Sequence, residues 1–351
     1  MLFYFLKRIL LIIPTFLAIT ILCFGLTQFV PGGPIEQHMM AMRGLDGGAG
    51  ATPTTTSVGT TANEPISDTI RQELIEYYGF DKPIHVRYKK WLIDDCLGMN
   101  MHSYKFTDKT AWELICERIP VSLWFGITGF VLSYLICIPL GIAKALRHGT
   151  AFDLASSVIV FIGYAIPAFA FGMLLKLIFC GTVDTMFDIL PLGGFESDNA
   201  ASLTGFALIK DRAAHMFLPV LCYIIGSFAV LTILMKNSLL DQLSSDYIRT
   251  VLSKGATRRY AVWKHALRNA LIPIATGFGG ILTIMFAGSV VIEKVFEIPG
   301  MGLLSLEAIE TRDYPVFMGI LSLTSILGLL GQVLSDLCYV IIDPRIKFTN
   351  K

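Results

Sequence analysis

Histidine and cysteine have the widest chemical repertoire in this 351-residue chain, and their spacing gives them no shared site. His38, His85, His102, His148, His215 and His265 are scattered, none at metal-ligand distance from another along the chain. Each reads as an ordinary structural or surface residue. The seven cysteines form no zinc spacing. Cys23, Cys137, Cys180, Cys222 and Cys338 lie in or at the ends of apolar runs and read as buried small hydrophobes. Cys96 and Cys116 lie outside those runs, and a disulfide between them stays open if they face an oxidising space. There is no GxxxxGK[ST], no HExxH and no GxSxG. The expectation is a chain with no catalytic residue, no metal ligand and no nucleotide site of its own.

Two ionisable side chains fall inside apolar runs: Lys176 and Asp336. Such groups are functional candidates by default. Lys176 stands near the end of its run, where its long stem can carry the ammonium to the interface. Asp336 stands about two turns from the end of the last run and can pair within a helix bundle. Two isolated charges do not make a proton relay, which disfavours an ion-coupled carrier.

One long polar stretch has internal order: "DYIRTVLSKGATRRYAVWKHALRN", Asp246–Asn269. Asp246 can cap a helix starting at Tyr247. Tyr247, Ile248, Val251 and Leu252 then form an apolar ridge. Gly255 suits the left-handed position past a helix end. Thr257 can cap a second helix, on which Tyr260, Trp263 and Leu267 share a face. The pattern fits basic amphipathic helices lying on lipid. It also fits, without being preferred on pattern alone, a helix docking into a groove on a partner.

The elements that hold this stretch are apolar. The chain is 54% hydrophobic and 16% charged, with a mean hydropathy of +0.64, whereas soluble domains average about 25% charged. Ile9–Val30 and Val121–Ala143 carry no charged side chain, and about 20 apolar residues span a bilayer. Six spans fit: Ile9–Val30, Val121–Ala143, Leu154–Cys180, Met216–Met235, Leu271–Ile292 and Val316–Ile342. The first exceeds the ~7–15-residue apolar core of a signal peptide and is followed by no A-x-A site, so it reads as a retained helix. The fifth is rich in glycine (Gly277, Gly279, Gly280, Gly288), which fits either close helix packing or a moving interface.

Lysine and arginine set the orientation. Lys7 and Arg8 precede span one, Lys144 and Arg147 follow span two, and Arg345, Lys347 and Lys351 follow span six. Between spans four and five stand Lys236, Arg249, Lys254, Arg258, Arg259, Lys264 and Arg268, against Asp241 and Asp246. The loops 181–215 and 293–315 hold more acids than bases. All basic regions share one side if both termini are cytoplasmic. The expected organisation is an N-terminal transmembrane helix (1–30), an external helical cap (31–119) and a five-helix core (120–345) with a cytoplasmic loop (237–270). Within the cap, Arg43–Pro65 is Gly/Thr-rich and reads as a flexible insert. Three short helices follow, in "ISDTIRQELIEYYG", "HVRYKKWLIDDCLG" and "KTAWELICERI".

The polar stretch with its continuation, "DYIRTVLSKGATRRYAVWKHALRNALIPI", resembles the EAA loop of bacterial ABC-importer permeases, specifically the dipeptide/oligopeptide permease family. That family's Tyr-x-Arg-Thr-Ala-x-x-Lys-Gly core is matched by Tyr247, Arg249, Thr250, Val251, Lys254 and Gly255, with Val251 in place of alanine. "FVPGGP", "YGFDKPIHVRY", "ERIPVSL", "AIPAF", "LPLGG", "HMFLPVL", "VIEKVFEIPGMGLLSLEAIETRDYPV" and "DPRI" are similar in order along nearly the whole chain. "LGMNMHS" departs from the family's Gly-Asp-x-Gly-x-Ser type segment. The resemblance implies an all-α membrane protein with a type I ABC-importer permease core. It implies a second homologous permease, two cytoplasmic ATP-binding subunits that bind ATP and Mg, and a periplasmic solute-binding protein as partners. It implies coupling to the ATPase through Tyr247, Arg249, Thr250, Val251, Lys254, Gly255 and Ala256. PGGP, the insert and "GYAIPAF" are most similar to a branch importing oligopeptides and antibiotic peptide–nucleotide conjugates. The family also includes importers of nickel chelates.

Overall fold

The computed structural model describes residues 2–29, 72, 75, 81–106, 108–181 and 187–342. The stretch 43–65, nearly all of the expected helix at 66–79, and the FVPGGP and DPRI motifs lie wholly or mostly outside them.

Among the described residues the chain is helical, interrupted by two isolated β-bridges. The first helix, α1, is Leu2–Phe29. In the outer segment α2 (Ile84–Lys90) runs into a π-helical stretch, Trp91–Leu97. The helix α3 covers Ala111–Leu146, so the expected short helix at "KTAWELICERI" is the first turns of a span rather than a separate element. Pro120 and Pro139 lie inside it. Next come α4 (Ala151–Ala165) and α5 (Ala168–Phe179), then α6 (Phe206–Ser244) and α7 (Asp246–Ser253). A lead-in of Arg258–Tyr260, a π-helical Ala261–Ala266 and Leu267–Ala270 reaches α8, Ile272–Ala287. The chain ends with α9 (Val290–Val295), α10 (Met301–Glu310) and α11 (Tyr314–Ile342).

Among the described residues four helices are long and apolar enough to cross a membrane: α1, α3, α6 and α11. The pair α4 and α5 makes a fifth if counted as one span, and it is bent by 93°. This pair is the expected third span, Leu154–Cys180. Pro167 breaks it, because a proline disfavours the helical region for the residue before it, and Ile166 is extended at φ −88°, ψ 122°. The expected fifth span also stops early. Helix α8 has 16 residues, about 24 Å at 1.5 Å per residue, short of a hydrocarbon core of about 30 Å. It ends at Gly288, whose φ of 65° lies in the left-handed half of the map that glycine tolerates.

The chain divides into two compact units. The larger holds residues up to Phe16, Ile115–Leu306 and the chain from Leu323 on. Among the described residues it has two apolar cores. One gathers Phe125, Leu175, Met216, Cys222, Ile292, Phe296 and Ile298. The other gathers Cys137, Ile142, Met235, Leu239, Ile248, Ala261, Ala266 and Ile274. Of the span-five glycines, Gly279 meets Gly331 so closely that a Cβ there would lie 2.6 Å from the Gly331 carbonyl oxygen. That glycine serves helix packing.

The smaller unit holds Leu17–Leu114 and Glu307–Ser322. Phe24, Tyr88 and Trp91 form an aromatic group with centroids 5.5–6.0 Å apart. The buried Asp313 carboxylate accepts from the Ser103 hydroxyl and from the amides of Tyr104 (3.1 Å) and Lys105 (3.3 Å). This anchors the segment that follows "LGMNMHS", in which Met99 takes a positive φ of 54°.

Candidate functional site

The basic loop begins where α6 ends. Helix α7 starts at Asp246, one residue earlier than its expected first residue, and Ser245 holds the extended position before it without a side-chain cap. Gly255 has φ 86°, and its amide donates to Leu252 O at 2.9 Å while Ala256 N donates to Val251 O at 3.4 Å. This is the expected left-handed helix end. Thr257 caps the next turn as expected, its Oγ1 accepting from Tyr260 N at 3.3 Å.

The apolar ridge does not stay on one surface. Ile248 is 2% exposed and belongs to the second core, and Val251 packs against that core. Tyr247 and Leu252 face outward, Leu252 at 41% exposure. Arg249, Thr250 and Lys254 are exposed as well. Arg249 reaches back to Asp246 (3.6 Å), and the Thr250 hydroxyl donates to Asp246 O (3.0 Å). The Tyr247 hydroxyl donates to Gln242 Oε1 (2.8 Å) and accepts from Asn269 Nδ2 (3.1 Å), joining α7 to the end of α6 and to the lead-in. The structure therefore brings the seven residues onto one short helix and its turn, but spends Ile248 and half of Val251 on fixing that helix to the protein.

The lead-in also departs from a simple amphipathic helix. Ala261, Val262 and Ala266 are buried, while Tyr260 and Trp263 are 46% and 55% exposed. The π-helical register at Ala261–Ala266 moves these side chains off the face that a 3.6-residue period assigns them. Leu267 alone of the expected trio packs against the core. Thr257, Arg259, Tyr260, Trp263 and Lys264 line an open concavity of about 720 Å³. The exposed surface here is basic and aromatic.

Behind the loop lies a buried ion cluster that sequence reasoning missed. Lys144 and Lys236 entered the sequence reading as orienting charges alone. Instead, Lys144 is 1% exposed and bonds Asp153 O, Ser156 Oγ and Ser157 Oγ at 2.8–2.9 Å. Lys236 Nζ meets both Asp153 carboxylate oxygens at 2.7 and 2.8 Å. The Asp153 carboxylate thus ties α3, α4 and α6 together on the flank from which the loop emerges. The available signal was an aspartate at the very start of an apolar run.

The two charges inside the expected spans are both engaged. Asp336 Oδ2 lies 3.1 Å from Arg8 Nε and accepts from the Tyr4 hydroxyl at 3.1 Å, the structural pairing expected of it. Lys176 Nζ donates to Val295 O at 2.7 Å and sits 5.7 Å from the Phe296 ring centre. Another buried ionisable group, Glu293, was not singled out. It is 1% exposed and accepts from the amides of Ser289 (2.9 Å) and Leu303 (2.7 Å). Any Cβ at Gly288 or Gly300 would collide with its carboxylate. The signal was a glutamate bracketed by G-S and P-G-M-G. Cys96 is buried and Cys116 exposed, and both are free thiols. Among the described residues no group of three or more His, Cys, Asp or Glu is placed to hold a metal.

Residues 137–348 match the family model described as binding-protein-dependent transport system inner membrane component. The chain is 40% identical to an inner membrane ABC transporter permease protein, YejB, of Escherichia coli O157:H7, with 99% of each protein covered. It is 34% identical to a peptidoglycan transport system permease protein of Agrobacterium fabrum, again over 99% of each. It is 33% identical to the oligopeptide transport system permease protein AppB of Bacillus subtilis, over 98% of this chain and 99% of that one. Matched over more than half its length by the family model and end to end by these permeases, the chain belongs to the inner-membrane permease family of binding-protein-dependent ABC transport systems.

Proposed function

We propose that this chain is the transmembrane permease subunit of an ATP-driven importer that moves peptides or peptide conjugates across the bacterial inner membrane. The relatives named for oligopeptide and peptidoglycan transport support the substrate class. The chain crosses the membrane six times with both termini in the cytoplasm, α4 with α5 forming the third crossing and α8 with α9 the fifth. It pairs with a second, homologous permease. Two cytoplasmic subunits bind ATP and Mg and hydrolyse the nucleotide, and a periplasmic binding protein delivers the substrate. The permease itself is not an enzyme.

The observation that carries the mechanism is the division of labour within α7. Ile248 and Val251 fasten the helix to the core. Tyr247, Arg249, Leu252 and Lys254 are presented outward just before a fixed turn at Gly255. A helix held on one side and offered on the other transmits a rigid-body push. When the ATP-binding subunits close, they move α7. Its packing against Met235, Leu239 and Ala266 passes that shift to α6 and to the lead-in of α8. Arg249 and Lys254 supply charge complementarity at the rim of the contact and Leu252 its apolar anchor. Cysteines placed at Leu252 and in the groove of an ATP-binding subunit test this by crosslinking. The expected result is a permease–ATPase product; crosslinks to lipid alone would contradict it.

A further inference from the structure

The larger unit contains a cavity of about 530 Å³ among α3, α6, α8 and α9. It sits halfway along α3 and α6. Its wall is aromatic and hydroxylic: Phe130, Tyr134 and Tyr223 line it together with Ser133, Ser227 and Gly226. Phe130 and Tyr134 stack at 4.2 Å, and Ser133 and Ser227 share a hydrogen bond of 3.2 Å. Among the described residues no Asp, Glu, Lys, Arg or His lines it. A volume of this size, mainly apolar with a few hydroxyls, is that of a small-molecule site.

Gly226 is the informative residue. A glycine inside a long helix costs about 1 kcal/mol against alanine; several helical glycines here have a packing reason, whereas Gly25, Gly226 and Gly280 meet no neighbour, and of these three only Gly226 lines the cavity. A Cβ at Gly141 would lie 2.7 Å from Met235 Cβ, and one at Gly277 would strike the Tyr134 hydroxyl. A Cβ at Gly226 would meet nothing within 4 Å. The missing side chain makes no room for a neighbouring helix of this chain; it keeps the cavity wall open.

We propose that this cavity is a subsite for an uncharged aromatic or aliphatic side chain of the transported peptide, and that Gly226 sets how large that side chain can be. The proposal rests on the peptide-importer reading above. The stacked rings offer flat apolar contact, and the serine and tyrosine hydroxyls can hydrogen-bond the peptide's amides. The absence of a charged lining group disfavours acidic and basic side chains, which would enter without a counter-ion. Lipid tails would leave the hydroxyl groups no partner beyond those they already have, and a single side chain from another helix would leave most of the volume empty.

The test uses the complete importer with its binding protein in proteoliposomes. Uptake of labelled Ala-Ala-Ala, Ala-Phe-Ala and Ala-Glu-Ala is measured for wild type, Gly226→Leu and Gly226→Ala. Filling the cavity should lower Ala-Phe-Ala uptake relative to Ala-Ala-Ala by about tenfold in the leucine variant and less in the alanine variant. A tripeptide with a benzophenone side chain should also crosslink to residues 222–230 of wild type during turnover. If wild type takes up none of the three peptides, the peptide reading itself fails. If it takes them up and both variants change all three by one factor, the subsite fails while the importer reading stands. If Gly226→Leu instead stops copurification of the second permease, that subunit fills the cavity and the proposal is overturned.

Discussion

Ile248 and Leu252 stand one turn apart on α7 and should respond to truncation in opposite ways. Ile248 is 2% exposed among Met235, Leu239, Ala261 and Ala266. Cutting it to alanine removes buried carbon and leaves a cavity, a loss of about 2–5 kcal/mol in comparable cores. Leu252 is 41% exposed with no such surroundings. Leu252→Ala should change stability by no more than about 0.5 kcal/mol. If Leu252 is an apolar anchor for the ATP-binding subunit, its loss should cost about 1–2 kcal/mol of binding, a factor of roughly 5–30 in affinity. Thermal unfolding of the purified chain and titration with the ATP-binding subunits separate the two effects. Ile248→Ala should melt early, and Leu252→Ala should melt normally and bind weakly. Normal binding by Leu252→Ala, together with an unshifted melt for Ile248→Ala, would refute the division of the ridge.

Gly255→Pro demands φ near −65° where the chain holds 86°, and it deletes the amide bonded to Leu252 O. ATP hydrolysis and peptide uptake should uncouple in reconstituted vesicles while membrane insertion persists. Asp153→Ala leaves Lys144 and Lys236 without their shared counter-ion; a loss of about 3–5 kcal/mol is expected from thermal unfolding, and Lys144→Met with Asp153→Leu should recover part of it. Burial raises the Cys96 thiol pKa above its ordinary value, so an impermeant maleimide on intact spheroplasts should label exposed Cys116 well before Cys96, read by mass shift. Labelling of Cys116 only in inverted vesicles would reverse the proposed orientation.

Features set by neighbouring residues were legible in the sequence. The apolar runs marked α1, α3, α6 and α11 because a span is a local property of composition. Gly255 and Thr257 were legible because helix ends follow short-range backbone rules. Pro167 was visible, yet nothing local says that the break opens to 93°; packing of α4 and α5 against α6 decides that. The Asp153 cluster joins residues 83 positions apart, and the Glu293 cage depends on glycines that approach it only in the fold. The ridge on α7 was read correctly as apolar. Its division between core and surface was not readable, because Ile248 joins a core with Met235 and Leu239 of another helix. The π-helical turn at Ala261–Ala266 likewise moved Tyr260 and Trp263 off their expected face.

The most direct test of the account is peptide uptake by defined vesicles. One set holds this chain with the second permease, two ATP-binding subunits and the binding protein; the other holds this chain alone under a proton gradient. The account predicts uptake of a labelled tripeptide only in the complete set and only with ATP and Mg. Uptake by this chain alone, driven by the gradient and abolished by Asp336→Asn, would contradict it.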